Sequence, residues 1–235
     1  MAVFVLVHGG WQGGWSYLRL ARLLRKAGHE VYTPTLTGLG ERSHLAHAPI
    51  NLDTHIADVE NLIVWEDLGD VTLVGHSYGG MVVTGVADRI AGRIARLVYL
   101  DATIPQDGQT LLDLRPEYRD MMLQLAAAAE GRFVPPPQAS EFDARPEFWP
   151  LLDARNVPHP LACFTQAIRL GGACWKIRRR VCIYAAGGMF EDEYERLRID
   201  PAVEVHAVAD SGHTIMLDQP ERLCEILVAG FDQNA

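Results

Sequence analysis

Short apolar runs alternate along this chain with longer stretches whose apolar residues recur at helical spacing. The strand candidates are Val3 to Val7, Glu30 to Thr33, Val71 to Val74, Arg96 to Leu100, Val181 to Ala185 and Val203 to Val208, each short and rich in β-branched residues. Helical patterns fill the gaps between the first four: Trp15 to Ala27, ending at the C-cap candidate Gly28, then Leu52 to Trp65, then the stretch from Met81 to Ala87. A final helix is expected from Pro220 to Phe231. Strand alternating with helix predicts an α/β fold: a mostly parallel sheet of about six strands with helices on both faces.

From about Thr103 to Arg180 the alternation breaks. Leu111 to Ala129 reads as helix, Pro135-Pro136-Pro137 interrupts, and Phe164 to Leu170 reads as helix again. We expect one domain over residues 1–235 with an inserted cap at about 103–180, which enters after the fourth strand and leaves into the fifth. Its Leu, Met, Phe and Trp residues would roof a site with apolar surface. For most of Met121, Met122, Phe148 and Trp149 the plainer reading is packing within the insertion itself.

The chemistry concentrates at the strand ends. Gly75-His76-Ser77-Tyr78-Gly79 lies between a strand and a helix, the context in which G-x-S-x-G forms a nucleophile elbow and offers the Ser77 hydroxyl on a strained turn. A serine needs a base, and Ser211-Gly212-His213 follows the last strand, so His213 is the expected one. The other histidines have weaker claims: His8 and His76 abut glycine turns, and His44, His47, His55, His159 and His206 read as surface or loop residues, with His44 close enough to the rim to touch substrate. The oxyanion formed on attack calls for two backbone N–H donors, expected from Tyr78 and, within His8-Gly9-Gly10-Trp11, from Gly10. Trp11 and Tyr78 are candidate pocket residues.

The acid behind His213 is harder to place. The loop after Val181 to Ala185 reads Ala186-Gly187-Gly188-Met189-Phe190 before Glu191 and Asp192 appear, whereas Asp101 stands directly after Arg96 to Leu100. Asp101 is the expected acid, Glu191 or Asp192 the alternatives, and a capping role at the start of the insertion is the competing reading of Asp101.

The segments His8-Gly9-Gly10-Trp11-Gln12-Gly13-Gly14-Trp15 and Leu36-Thr37-Gly38-Leu39-Gly40-Glu41-Arg42, with the Ser77 elbow and Gly212-His213, resemble the α/β-hydrolase superfamily over nearly the whole chain. Within it the chain is most similar to bacterial carboxylesterases of the pyrethroid-hydrolase type, relatives of the plant methylesterase and hydroxynitrile lyase group. The resemblance implies a cofactor-free serine carboxylesterase acting on a small-molecule, hydrophobic, aromatic or bulky ester. Other chemistries of that scaffold (lactonase, C–C hydrolase, lyase) and a non-catalytic ligand receptor are the alternatives. Two departures stand out. The lyases carry a threonine after the first histidine and a lysine after the catalytic one, where this chain has Gly9 and Thr214. Gly187 falls about where the plant members carry their catalytic aspartate.

Composition narrows the rest. With 49% apolar and 22% charged residues in 235, the chain is composed like an ordinary globular protein, and a net charge of −9 disfavours nucleic-acid or anionic-membrane partners. The basic run Lys176-Ile177-Arg178-Arg179-Arg180 reads as a solvated approach to the next strand. No apolar run reaches the roughly 20 residues that span a bilayer, and Met1-Ala2 leads straight into a strand without a basic leader, so a cytoplasmic location is expected. Cys163, Cys174, Cys182 and Cys224 show no C-x-x-C spacing, which favours free thiols over disulfides or a metal site. A homodimer is left open.

Overall fold

A computed structural model describes residues 1–47, 49–141, 143–229 and 231. The strands β1 (Val3–Val7), β2 (Glu30–Tyr32), β3 (Val71–His76) and β4 (Ile94–Leu100) alternate with the helices α1 (Leu18–Lys26), α2 (Leu52–Trp65) and α3 (Gly79–Arg89). Between β4 and the next strand of the sheet lie α4 (Leu111–Leu114), α5 (Pro116–Ala128), the two-residue strand β5 (Phe133–Val134), α6 (Trp149–Arg155), its antiparallel partner β6 (His159–Pro160) and α7 (Ala162–Thr165). The main sheet resumes with β7 (Arg179–Ala185) and β8 (Val203–Val208), separated by α8 (Glu191–Leu197) and followed by α9 (Ile215–Asp218) and α10 (Pro220–Val228).

The six-stranded sheet has the order β2-β1-β3-β4-β7-β8, and every pairing in it is parallel. Parallel strands covered on both faces must be apolar on both, and the period of two divides them cleanly. On β1, Val5 and Val7 enter the core beneath α2 and α3, while Phe4 and Leu6 enter the core beneath α1 and α10. On β4, Leu97 and Tyr99 join the first core and Val98 and Leu100 the second. Each such fully buried Val, Leu or Phe contributes about 1.5–3 kcal/mol relative to exposure, so both helical layers are pinned by the same few strands.

Local chemistry sets several boundaries. Asn51 caps α2 by accepting the Thr54 N–H at 3.1 Å while the Thr54 hydroxyl accepts the Asn51 N–H, a reciprocal capping box. The predicted helix from Leu111 to Ala129 is divided, because Pro116 lacks the N–H that a continuous helix would use and instead opens α5. The expected helix from Phe164 to Leu170 reduces to α7, and the basic run is less solvated than expected: Arg179 and Arg180 lie within β7, where Arg180 pairs with Asp200 at 3.3 Å and is mostly buried. No helix among the described residues is long and apolar enough to cross a membrane.

The chain runs from β1 outward to β2 and then crosses back to β3 on the other side of β1. The crevice at this reversal, at the carboxyl ends of β1 and β3, is where open α/β sheets collect ligands. Gly9 and Gly10 leave β1 there, and Ser77 leaves β3.

Candidate active site

Ser77 sits between β3 and α3 with φ of 53°, a left-handed conformation rare for a residue with a side chain. The turn closes only because its flanking glycines carry no Cβ: one added at Gly75 would lie 2.6 Å from the Gly79 carbonyl oxygen, and one at Gly79 2.8 Å from the oxygens of Val7 and His8. Backbone bonds hold the turn against β4 and the loop after it, from Ser77 N–H to the Leu100 carbonyl and from Thr103 N–H to the Ser77 carbonyl, each 3.3 Å.

His213 follows β8 on a loop fixed from two directions. Its own N–H donates to the Asp143 carbonyl at 2.7 Å, and the neighbouring Gly212 N–H donates to the Asp218 carboxylate at 2.9 Å. Its ring lies 4.6 Å from that of His76 and 6.0 Å from that of Phe190, nearly parallel to the latter. Nδ1 of His213 meets Oδ2 of Asp101 at 2.6 Å, and both side chains are buried.

Asp101 follows β4 with φ of 45°. Its N–H donates to the Ile183 carbonyl at 2.7 Å, and its second carboxylate oxygen accepts the Ala185 N–H at 3.0 Å, so β7 holds both its backbone and its side chain. The alternatives stand elsewhere. Glu191 begins α8, where its carboxylate accepts the Gly187 N–H at 3.0 Å, and Asp192 is exposed on the same turn.

Ser77 and His213 line one cavity of about 320 Å³, together with the expected pocket residues Trp11 and Tyr78. The segment between β4 and β7 adds Leu111, Tyr118, Met121, Met122 and Phe164, with Arg115 and Glu141 as its charged members, and Met189 and Phe190 come from the loop after β7. Met121 and Met122 therefore face the cavity rather than only their own segment, while Phe148 and Trp149 pack against the core beneath α1 and α10. The Arg115 guanidinium stacks over the Phe190 ring at 4.5 Å, and its Nε pairs with Glu117 at 3.0 Å.

The histidines divide differently from the expectation. His8 and His76 do make structural bonds: His8 Nδ1 donates to the Gly9 carbonyl and Nε2 accepts the Leu36 N–H, and His76 Nε2 donates to the His213 carbonyl at 2.9 Å. His44 and His47 are exposed and His206 is partly exposed, as a surface reading requires, but His44 does not reach the cavity wall. His55 and His159, expected at the surface or in loops, are fully buried beside Tyr78. His55 Nδ1 accepts the Tyr78 hydroxyl at 2.9 Å and Nε2 donates to the Thr37 carbonyl at 2.9 Å. Nδ1 of His159 accepts the Trp11 N–H at 3.1 Å, and its ring stacks on Phe164 at 4.3 Å. Neither had a signal in the sequence, because each is buried by elements distant along the chain. Burial pulls the pKa of His8 and His55 down to about 4 and those of His76 and His159 well below the usual histidine value, so all four are neutral near pH 7.

Donor atoms of His55, His159 and Cys163 lie within 4.8 Å of one another, as a metal site would require. The histidine lone pairs are already engaged, however: Nδ1 of His55 by the Tyr78 hydroxyl and Nδ1 of His159 by the Trp11 N–H. Burial also pushes the Cys163 thiol up to about 12, which keeps it protonated, whereas metals bind thiolate. The donor set fits a hydrogen-bonded packing cluster better than a cation. All four cysteines are free, and three are buried.

The model of the Alpha/beta hydrolase family matches residues 4–226. A carbendazim hydrolyzing esterase from Nocardioides sp. (strain SG-4G) is 42% identical, with 97% of this chain and 99% of that protein covered. The putative chloroplastic methylesterase 13 of Arabidopsis thaliana is 28% identical over 96% of this chain and 55% of its own length. Among solved structures, an extracellular α/β-hydrolase from a Paenibacillus species superposes with a TM-score of 0.85 at 24% identity, covering 97% of this chain and 98% of that one. A pyrethroid hydrolase from Sphingobium faniae JZ-2 superposes with a TM-score of 0.81 at 21% identity, covering 99% and 98%. The chain belongs to the alpha/beta hydrolase family.

Proposed function

We propose that the protein is a serine carboxylesterase in which Ser77, His213 and Asp101 form the catalytic triad. The observation that carries the reading is the 2.6 Å contact between Asp101 and His213 beside the cavity that Ser77 and His213 share. His213 takes the Ser77 proton as the hydroxyl attacks the ester carbonyl, Asp101 orients the ring and stabilises the imidazolium, and the alcohol leaves from an acyl-enzyme. Water activated by the same histidine then releases the acid. The N–H groups of Gly10 and Tyr78 face the developing oxyanion, and no backbone or side-chain acceptor among the described residues claims either.

Residues 103–180 act as the cap of a single hydrolase domain. The cap's Leu111, Tyr118, Met121, Met122 and Phe164 suit a hydrophobic, flat or bulky ester, and methionines adapt to varied shapes. The 42%-identical carbendazim hydrolyzing esterase makes carbendazim the first aromatic substrate to try. Cyanohydrin cleavage fits poorly. A Cβ at Gly9 would lie 2.7 Å from His76 Nδ1, so the lyases' threonine has no room, and Thr214 is fully buried where a lysine would have to carry its charge.

The test is a panel of p-nitrophenyl esters and carbendazim, with Ser77→Ala as control. Turnover by the wild type, its loss in Ser77→Ala and stoichiometric fluorophosphonate labelling of Ser77 are expected. A wild-type protein that hydrolyses none of them and takes no label would refute the reading.

A further inference from the structure

The glycine turn after β1 is tied to the cap at every polar atom of one residue. Trp11, directly after Gly10, donates its backbone N–H to His159 Nδ1 at 3.1 Å, accepts the Val157 N–H on its carbonyl at 3.0 Å, and donates its indole N–H to the Val134 carbonyl at 2.9 Å. All three partners lie on β5, on β6 or two residues before β6, within the segment between β4 and β7. Trp11 itself has φ of 63°, a conformation a side-chain-bearing residue keeps only when its surroundings impose it.

His159 also touches the other oxyanion donor. Its ring meets that of Tyr78 edge-on at 4.8 Å, and a Cβ added to Gly10 would lie 3.9 Å from His159 Nδ1 and 3.6 Å from Phe164. Because Nδ1 serves as acceptor, the neutral ring carries its proton on Nε2, which is buried without a partner among the described residues. A buried donor without a partner is a cost. It is retained here in the tautomer that gives Trp11 an acceptor.

We propose that His159 is the positioning residue of the oxyanion hole. It fixes the Gly10–Trp11 peptide through Nδ1 and the Tyr78 ring through its edge, so that the two donors are preorganised only when the cap is seated. The inference rests on Gly10 and Tyr78 being those donors. The physical reason is the freedom of Gly10: without a side chain, its backbone is held only by what holds its neighbours. A donor that must reorient during reaction stabilises the transition state less than one already aimed at it.

The experiment compares His159→Asn with His159→Leu in the full-length protein. The two side chains are nearly isosteric and lose the Phe164 stacking equally, but Asn Oδ1 can accept the Trp11 N–H where Leu cannot. Hydrolysis of p-nitrophenyl butyrate is measured per fluorophosphonate-titrated site, with inhibition by a phenylalkyl trifluoromethyl ketone, whose adduct with the serine carries an oxyanion. His159→Leu is expected to lower kcat about 10- to 100-fold, part of the 10²–10³ lost with a whole donor, with KM within about threefold and the ketone Ki raised by the same factor as kcat falls. His159→Asn should recover most of both. The proposal is overturned if His159→Leu keeps wild-type kcat and Ki, if the two variants are equally impaired or equally unfolded, or if the loss lies only in the number of titratable sites. A wild type that neither turns over esters nor takes the label removes the esterase reading, and this proposal with it. A wild type active on both, with unaffected His159 variants, removes the positioning role alone.

Discussion

Two loops leave the sheet side by side at its carboxyl edge, one after β4 and one after β7, and their carboxylates have opposite surroundings. Asp101, after β4, is fully buried, held by the Ala185 N–H and aimed at His213, and the residue beside it is clamped, because the Tyr194 hydroxyl donates to the Ala102 carbonyl at 2.7 Å and accepts its N–H at 2.8 Å. Glu191, after β7, is partly exposed and closes its own loop on the Gly187 N–H. Both acids lie near the rim. What separates them is that one has its oxygens fixed by a neighbouring strand and the other by its own turn, and only a fixed, desolvated carboxylate can orient an imidazole.

The sharpest way to break this comparison is Asp101→Asn. An amide there favours the wrong histidine tautomer, so kcat should fall about 10³- to 10⁴-fold with little change in thermal midpoint. A fall of less than tenfold would move the acid elsewhere. A second construction restores the carboxylate from the other loop: adding Gly187→Asp to Asp101→Asn should regain about 10-fold, limited because Gly187 has φ of 78°. No regain would mean that the β7 loop cannot reach His213 in this chain.

The same logic of burial extends to the bases. His8 and His55 are held neutral, with pKa values near 4 against about 6.5 unfolded. Between those values the unfolded chain binds protons that the folded one refuses, so stability is full above about pH 6.5 and declines as pH drops toward 4. Urea midpoints measured at pH 7.5, 6 and 5 should fall in that order, and a flat profile would contradict the burial of these rings. The smallest expected effect is Glu191→Gln: kcat within about twofold and stability lowered by less than about 1 kcal/mol, the range of an exposed hydrogen bond. A large loss of kcat would reverse the ranking of the two loops.

The core of the sheet was legible because its signals are local. The predicted strands Val3–Val7 and Val203–Val208 match the observed ones at both ends, as does the helix Leu52–Trp65, whose start the structure shows to be fixed by the Asn51 cap. Within the insertion the same reasoning worked less well. Pro116 divided a helix, and Met121 and Met122 turned to the cavity, because short segments take their faces from whatever they pack on. His55 and His159 were read as surface or loop residues for the same reason: nothing near them in the chain announces that Tyr78, Trp11 and Phe164 will enclose them.

By itself the amino-acid sequence determined the elements whose information is contained in a few neighbouring residues: the strand–turn–helix at Ser77, the glycine turn after β1, the histidine after the last strand and the parallel sheet that brings them to one edge. Only the tertiary structure decided which carboxylate meets His213 and which side chains close the cavity and hold Trp11. Those contacts join residues 112 and 148 positions apart, and their geometry depends on how strands and loops pack rather than on any local preference.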